Sequence, residues 1–165
     1  MNPNETNRSS DSDENKGRPT NPPCCNKRCH CIGEDFGPCP FVVNIEEATL
    51  ANPFFRRALW TGTHLQLTLM CIPPCGEIGL EMHPNLDQFL RLEQGEGKVM
   101  MGASQKCLNY QRKVSDGYAV FIPTGTWHNL VNTGNEPIKL YSIYAPPQHP
   151  AGSIQCTKAD SDDAE

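Results

Sequence analysis

The stretch "GYAVFIPTGTWHNLVN", residues 117–132, decides the fold. It opens on Asp116-Gly117, a dipeptide suited to a tight turn. "YAVFI" (118–122) is a strand-length apolar run, and Pro123 and Gly125 then mark a second turn. "WHNLVN" (127–132) resumes an extended pattern. His128 and Asn132 stand at even spacing, so they share one face of that strand, and Trp127 points to the other. Pro123 and Gly125 shape the turn that brings His128 inward, and Asn132 is placed to bond backbone at the wall of the fold.

The same rhythm runs outward in both directions. "HLQLTLMCI" (64–72) alternates, with Leu65, Leu67, Leu69 and Cys71 on one side. "GLEMH" (79–83), "QFLRLE" (88–93), "KVMMG" (98–102) and "IKLYSIYA" (138–145) are strand-length runs separated by Gly, Pro and Asn. Many short strands at close spacing, divided by turn residues, predict an all-β sandwich or barrel. Only "NIEEATLANPFFRRALW" (44–60) suits a helix, and Pro53 interrupts it. Phe89 and Phe121 fall on outward faces, which predicts a surface covered by another sheet or a second subunit.

The chain has 165 residues, enough for one domain with its own core. Residues 1–23 contain no Ile, Leu, Val, Phe, Tyr or Trp, too little apolar surface to offset the entropy of ordering. The expected division is a disordered, Cys-rich arm over 1–39, a barrel over 40–150 and an acidic tail over 151–165. The net charge of −5 comes without a basic cluster, which argues against a nucleic-acid surface. No apolar run reaches the length of a membrane span, and the N-terminus is polar, so the expected location is cytoplasmic. Five of the nine cysteines (Cys24, Cys25, Cys29, Cys31 and Cys39) crowd into "CCNKRCHCIGEDFGPC". They read either as a reduced arm or as a zinc knot using Cys24 or Cys25 with Cys29, His30 and Cys31. Cys71, Cys75, Cys107 and Cys156 read as ordinary small residues, and His64 and His149 as structural or exposed.

A second stretch carries the chemistry. In "GLEMHPNLDQFLRLEQG" (79–95), Glu81 and His83 are two apart and project together from a strand. Gln88 follows on the next strand, with Leu90 and Leu92 on its inward face, and the "PNLD" loop between lets the chain turn over.

These two stretches resemble the cupin superfamily over roughly residues 65–145. The family's second motif, Gly-x5-Pro-x-Gly-x2-His-x3-Asn, is met by Gly117, Pro123, Gly125, His128 and Asn132. From average usage, its Gly-x5-Pro-x-Gly part alone arises at about 1 in 4,000 starting points. The first motif, Gly-x5-His-x-His-x3–4-Glu-x6-Gly, is met at His83 and Gly95 and altered at three positions. Glu81 replaces the first His and Gln88 replaces the Glu. Cys75 stands where the leading Gly belongs, with Gly76 beside it. Asp87 takes the place of Gln88 if the shorter spacing applies. More closely, the chain resembles small single-domain bacterial cupins of the mannose-6-phosphate-isomerase-like group.

The resemblance implies a cupin-type double-stranded β-helix, a jelly-roll barrel, with a metal inside it. The implied ligands are Glu81, His83, Gln88 and His128. Relative to a three-His, one-Glu set, the anion moves from the fourth position to the first and the total charge is kept. Imidazole, carboxylate and amide oxygen suit a divalent Zn, Mn, Fe, Ni or Co ion. Gln88 either binds directly or holds a metal-bound water, and Glu81 is either a ligand or a general base beside the metal. The resemblance further implies a homodimer and a small polar, carbohydrate-like substrate turned over by isomerase-type chemistry. A lyase or dioxygenase uses the same ligands, and a non-enzymatic cupin that binds a small ligand or serves in an assembly is the rival from another class.

Overall fold

The computed structural model describes residues 34–163. Helix α1 (Ile45–Ala51) starts where the Asn44 side chain accepts from Glu47 N, with Glu46 and Glu47 in its first turn. It ends at Asn52, immediately before Pro53, whose ring excludes a helical residue ahead of it. Nine strands follow: β1 (Arg56–Thr61), β2 (Gln66–Ile72), β3 (Asp87–Gln94), β4 (Gly97–Gly102), β5 (Tyr110–Val114), β6 (Ala119–Ile122), β7 (Trp127–Asn132), β8 (Ile138–Ala145) and the short β9 (Ile154–Gln155). Helix α2 (Lys158–Asp162) closes the described chain.

All strand pairs are antiparallel and form two sheets. The larger has the order β6-β3-β8-β2-β1-β9 and the smaller β5-β4-β7. This is the predicted all-β, double-stranded β-helix. α1 packs beside β2, β3 and β8.

Register stacks the interior in layers. Gln88, Tyr144 and Gln66 stand opposite one another across β3, β8 and β2. Leu90, Ser142 and Thr68 form the next layer, then Leu92, Leu140 and Met70, with Ile138 and Ile72 beyond. One end of the barrel is therefore polar and the other is a dry core completed by Val99 and Leu130, with Ile122 opposite Gln88 and Val120 opposite Leu90.

Three features depart from the sequence expectation. The inward face of β2 is Gln66, Thr68, Met70 and Ile72, not the leucine set, because the polar end of the interior needs Gln66 and Thr68. Leu69 is buried on the opposite face and Leu65 is largely exposed. The run 79–83 is no continuous strand. It follows β7 through isolated bridges at Glu77↔Val131 and Glu81↔His128. Pro73, Pro74 and Pro84 offer no N–H to a ladder, and Gly79 turns at φ 110°.

The third departure concerns the ends of the barrel. Residues 34–39 pack on β1 rather than standing outside it: Phe36 N donates to Leu59 O, and Asp35 accepts from Thr61 and Gly152. At the other end, Arg56 is buried and donates through Nη1 to Gln155 Oε1 at 3.1 Å and Ser161 Oγ at 2.6 Å. Residues 154–162 thus belong to the folded body. The proposed zinc knot of Cys24, Cys25, Cys29, His30 and Cys31 lies outside the described residues.

Candidate metal centre

Two turns bring the site together. The Pro123–Thr126 turn is held against the first motif: Gly125 N donates to His83 O at 2.8 Å, and Thr124 Oγ1 donates to the same carbonyl at 3.3 Å. Gly125 adopts φ 73°, a left-handed conformation that glycine takes without a Cβ clash. β7 then carries His128 inward, and Glu81 and His128 exchange backbone hydrogen bonds at 3.0 and 2.9 Å. Asn132 ties the wall by donating to Ile72 O and Glu136 O, as its position predicts.

Glu81, His83 and His128 converge, with one candidate ligand atom from each lying within 4.8 Å of the others. Glu81 Oε1 is 3.1 Å from His128 Nε2 and 3.4 Å from His83 Nε2. The side chains are 10%, 2% and 8% exposed for Glu81, His128 and His83, so water screens these groups little. Burial pushes the Glu81 carboxyl up, but the His128 and His83 rings and the Arg56 charge outweigh it. The group is held well below the usual carboxylate range and is ionised.

The donor chemistry fits a cation. His128 Nδ1 lies 2.9 Å from the Thr126 carbonyl, which can only accept, so Nδ1 carries the proton. Nε2 then faces the Glu81 carboxylate, either donating a second ring proton, which holds that carboxyl low, or presenting a lone pair. Two acceptors at that distance require a proton or a cation between them. Two ligands each about 2.1 Å from a metal stand about 3.0 Å apart at a right angle and about 3.4 Å apart at a tetrahedral angle. The observed spacings match those values. His83 Nε2 is buried and makes no well-aligned hydrogen bond.

Gln88 is buried at the start of β3, and its Nε2 donates to Ser142 Oγ at 3.1 Å. Its Oε1 faces elsewhere in the interior, buried and without a hydrogen-bond partner. Asp87 lies on the opposite face, exposed, and its Oδ1 accepts from Thr124 N at 2.9 Å. It braces the turn.

Sequence reasoning missed two neighbours. Tyr144 is fully buried, and its ring meets His83 edge-on at 5.8 Å and His149 edge-on at 5.1 Å. His149 is held by a two-way clamp: Gln66 Nε2 donates to His149 O at 2.8 Å, and His149 N donates to Gln66 Oε1 at 2.9 Å. Burial and the nearby Arg56 charge push the His149 ring down to about 4. Its Nε2 is buried without a partner. No local pattern marks either residue, because a clamp between positions 66 and 149 is purely tertiary.

A family model described as a cupin domain matches residues 68–144. The chain is 61% identical over 132 residues to the uncharacterized protein YrkC of Bacillus subtilis, covering 80% of this chain and 71% of that one. It is 38% identical to the uncharacterized protein L612 of Acanthamoeba polyphaga mimivirus, covering 73% of this chain and 74% of the other. The crystal structure of BH2720 from Bacillus halodurans superposes with a TM-score of 0.79 at 62% identity, over 79% of this chain and 99% of that one.

Proposed function

The chain belongs to the cupin superfamily, and on the geometry of its barrel we propose that it is a metal-dependent enzyme acting on a small polar molecule. The carrying observation is that two imidazole nitrogens converge on one ionised carboxylate oxygen with the His128 proton committed to the opposite ring nitrogen. Glu81, His83 and His128 hold the ion in this reading, and Gln88 Oε1 is the fourth donor.

The bound divalent ion supplies Lewis-acid polarisation of a substrate oxygen. The chain's own residues do the rest. Thr126 fixes the His128 tautomer, the 123–126 turn fixes His83, and Ser142 orients Gln88. Glu81 serves as ligand rather than base, because both imidazoles are aimed at its Oε1. Isomerase-type chemistry on a carbohydrate-like carbonyl compound is the preferred reaction class, and association as a homodimer is part of the same reading.

The test is metal analysis of the purified full chain after expression with Zn, Mn, Fe, Ni and Co supplied in turn. About one transition-metal ion per chain is expected, lost in Glu81→Ala, His83→Ala and His128→Ala, with Gln88→Ala weakening retention less. Folded protein that takes up none of the five metals ends this reading.

A further inference from the structure

The outer face of the larger sheet carries a cavity that the metal centre does not use. Arg57 stands opposite Leu69 in the β1–β2 pairing, and Leu69 is buried on the outer face, so Arg57 points outward as well. Its neighbour Arg56 pairs with Met70 on the inward face and is engaged there with Gln155 and Ser161. Over Arg57, a cavity of about 390 Å³ opens between β1, helix α1 and the segment before that helix. Its size falls within the range of small-molecule sites. Phe36 and Phe41 line it, with rings stacked 4.3 Å apart and planes 5° from parallel. Leu59 of β1 and Ala48 of α1 add to the apolar lining. Phe41, Val42 and Val43 are all exposed, three consecutive apolar residues at the same place. A contiguous apolar patch of this kind marks a binding surface more often than a single exposed side chain does.

One charge is set into this lining. Arg57 is half-buried, and its Nε is buried without a hydrogen-bond partner. Among the described residues no ion pair reaches it, and no carboxylate lines the cavity. Glu46 and Glu47 are exposed in the first turn of α1 and form no part of the lining. Asn52, the other polar residue there, closes its side chain on the Phe54 backbone. Its carbonyl accepts from Lys139 Nζ, which adds a second positive charge at the end of α1. Burial lowers the Arg57 pKa and no acidic group opposes that shift, yet a guanidinium stays charged. A cationic donor buried without an acceptor forfeits the hydrogen bond it had in water.

We propose that this cavity binds a small carboxylic acid with an apolar body, its carboxylate paired with the Arg57 guanidinium and its body laid against Phe36, Phe41 and Leu59. The site is separate from Glu81, His83 and His128, which lie inside the barrel, and it stands whether or not a metal is bound there. The chemistry of the lining sets the preference. A guanidinium presents parallel N–H donors that match the two oxygens of a carboxylate. An apolar amine of the same length would bring like charge to Arg57, and an apolar alcohol would leave that charge unmatched. Inorganic phosphate would give up its hydration to a wall of rings and methyl groups in exchange for one cation.

The experiment titrates the full chain with octanoate, octylammonium and 1-octanol by calorimetry, three probes of equal chain length that differ in charge. Saturable binding of one octanoate per chain is expected, about tenfold tighter than either of the others, the effect of a charge-assisted hydrogen bond. Arg57→Met keeps the apolar stem and removes the charge. It is expected to weaken octanoate about tenfold and to leave 1-octanol unchanged. Ala51→Leu, at an exposed position of α1 that lines the cavity, should crowd it and weaken octanoate in a folded protein. Metal content, measured on the same samples, should be the same in all of them, which keeps this test apart from that of the metal centre. Equal affinity for the three probes overturns the site, as does full octanoate affinity in folded Arg57→Met. Absence of saturable octanoate binding also overturns it and leaves the cavity to a protein partner or a second copy of the chain.

Discussion

At the scale of single residues, Cys75 shows how the motif and the backbone speak together. It is the non-glycine residue with positive φ among those described, at 60°, and it occupies the place of the motif's leading glycine. A side chain in this left-handed region costs roughly 1–2 kcal/mol, and glycine's extra freedom when unfolded takes back about 0.5–1. Cys75→Gly is therefore expected to stabilise by about 0.5 kcal/mol, seen as a higher urea midpoint at constant slope. A lower midpoint would mean that the sulfur makes a contact worth more than the strain. His149, at the Gln66 end of the barrel, governs a pH response. Its ring is pushed down to about 4 from 6.5, mainly by burial and then by Arg56. The unfolded chain binds the proton more readily across that interval, so stability is intact above pH 6.5 and falls as pH drops towards 4. The full effect is on the order of 3 kcal/mol at about 1.36 kcal/mol per unit. Urea midpoints of wild type and His149→Gln should diverge between pH 6.5 and 4, the variant being the flatter. Glu81 adds a loss only at lower pH, below 4.5, because its pKa is depressed from that ordinary value. Fixed spacing made the convergence of His83 and His128 legible in the sequence, and position that of Glu81. Tyr144 and His149, which pack beside that group, were not, because nothing within a few residues of either marks it.

At the scale of elements, legibility depended on whether a segment's partner lay nearby in the chain. Alternation and turn residues announced β3, β6, β7 and β8, and Pro53 gave the end of α1. Alternation alone did not say which face of β2 turned inward, since the apolar set is normally the buried one and here the barrel end is polar. The C-terminal segment was the hardest case. "KADSDDAE" is as polar as a disordered tail, yet α2 carries a capping box between Thr157 and Asp160 and lays Ser161 on Arg56, 105 residues away. A hydrogen bond to a buried charge contributes about 1.5–3 kcal/mol. Ser161→Ala is expected to cost about 2 kcal/mol in chemical denaturation, whereas Asp163→Ala, an exposed position, should change stability by less than about 0.5. Equal small effects from both would show that residues 154–162 do not support the barrel.

At the scale of the whole molecule, one of the apolar regions on the outer surface lies where the two sheet edges meet. Phe121 is 71% exposed and Tyr118 53%, both at the edge of the larger sheet, and Tyr110 is 47% exposed on the edge strand of the smaller one. Phe89 and Tyr141 extend the ring cluster beneath Phe121, with centroids 5.1 Å from Phe89 to Phe121 and 6.1 Å from Phe89 to Tyr141. Two sheet edges meet around a shared aromatic groove, which Arg112 and Lys113 also line, with Arg112 over the Tyr110 ring. A soluble domain usually covers such a region or charges it. Pairing this face with a second copy buries the rings without touching the metal centre, whose residues lie inside the barrel. The expected homodimer should therefore use it, and Phe121→Asp should place a charge at its middle. Sedimentation velocity is expected to show a dimer for the wild type and a monomer for Phe121→Asp, at equal metal content. A wild-type monomer at tens of micromolar would remove the dimer, and a dimeric Phe121→Asp would move the interface to another face.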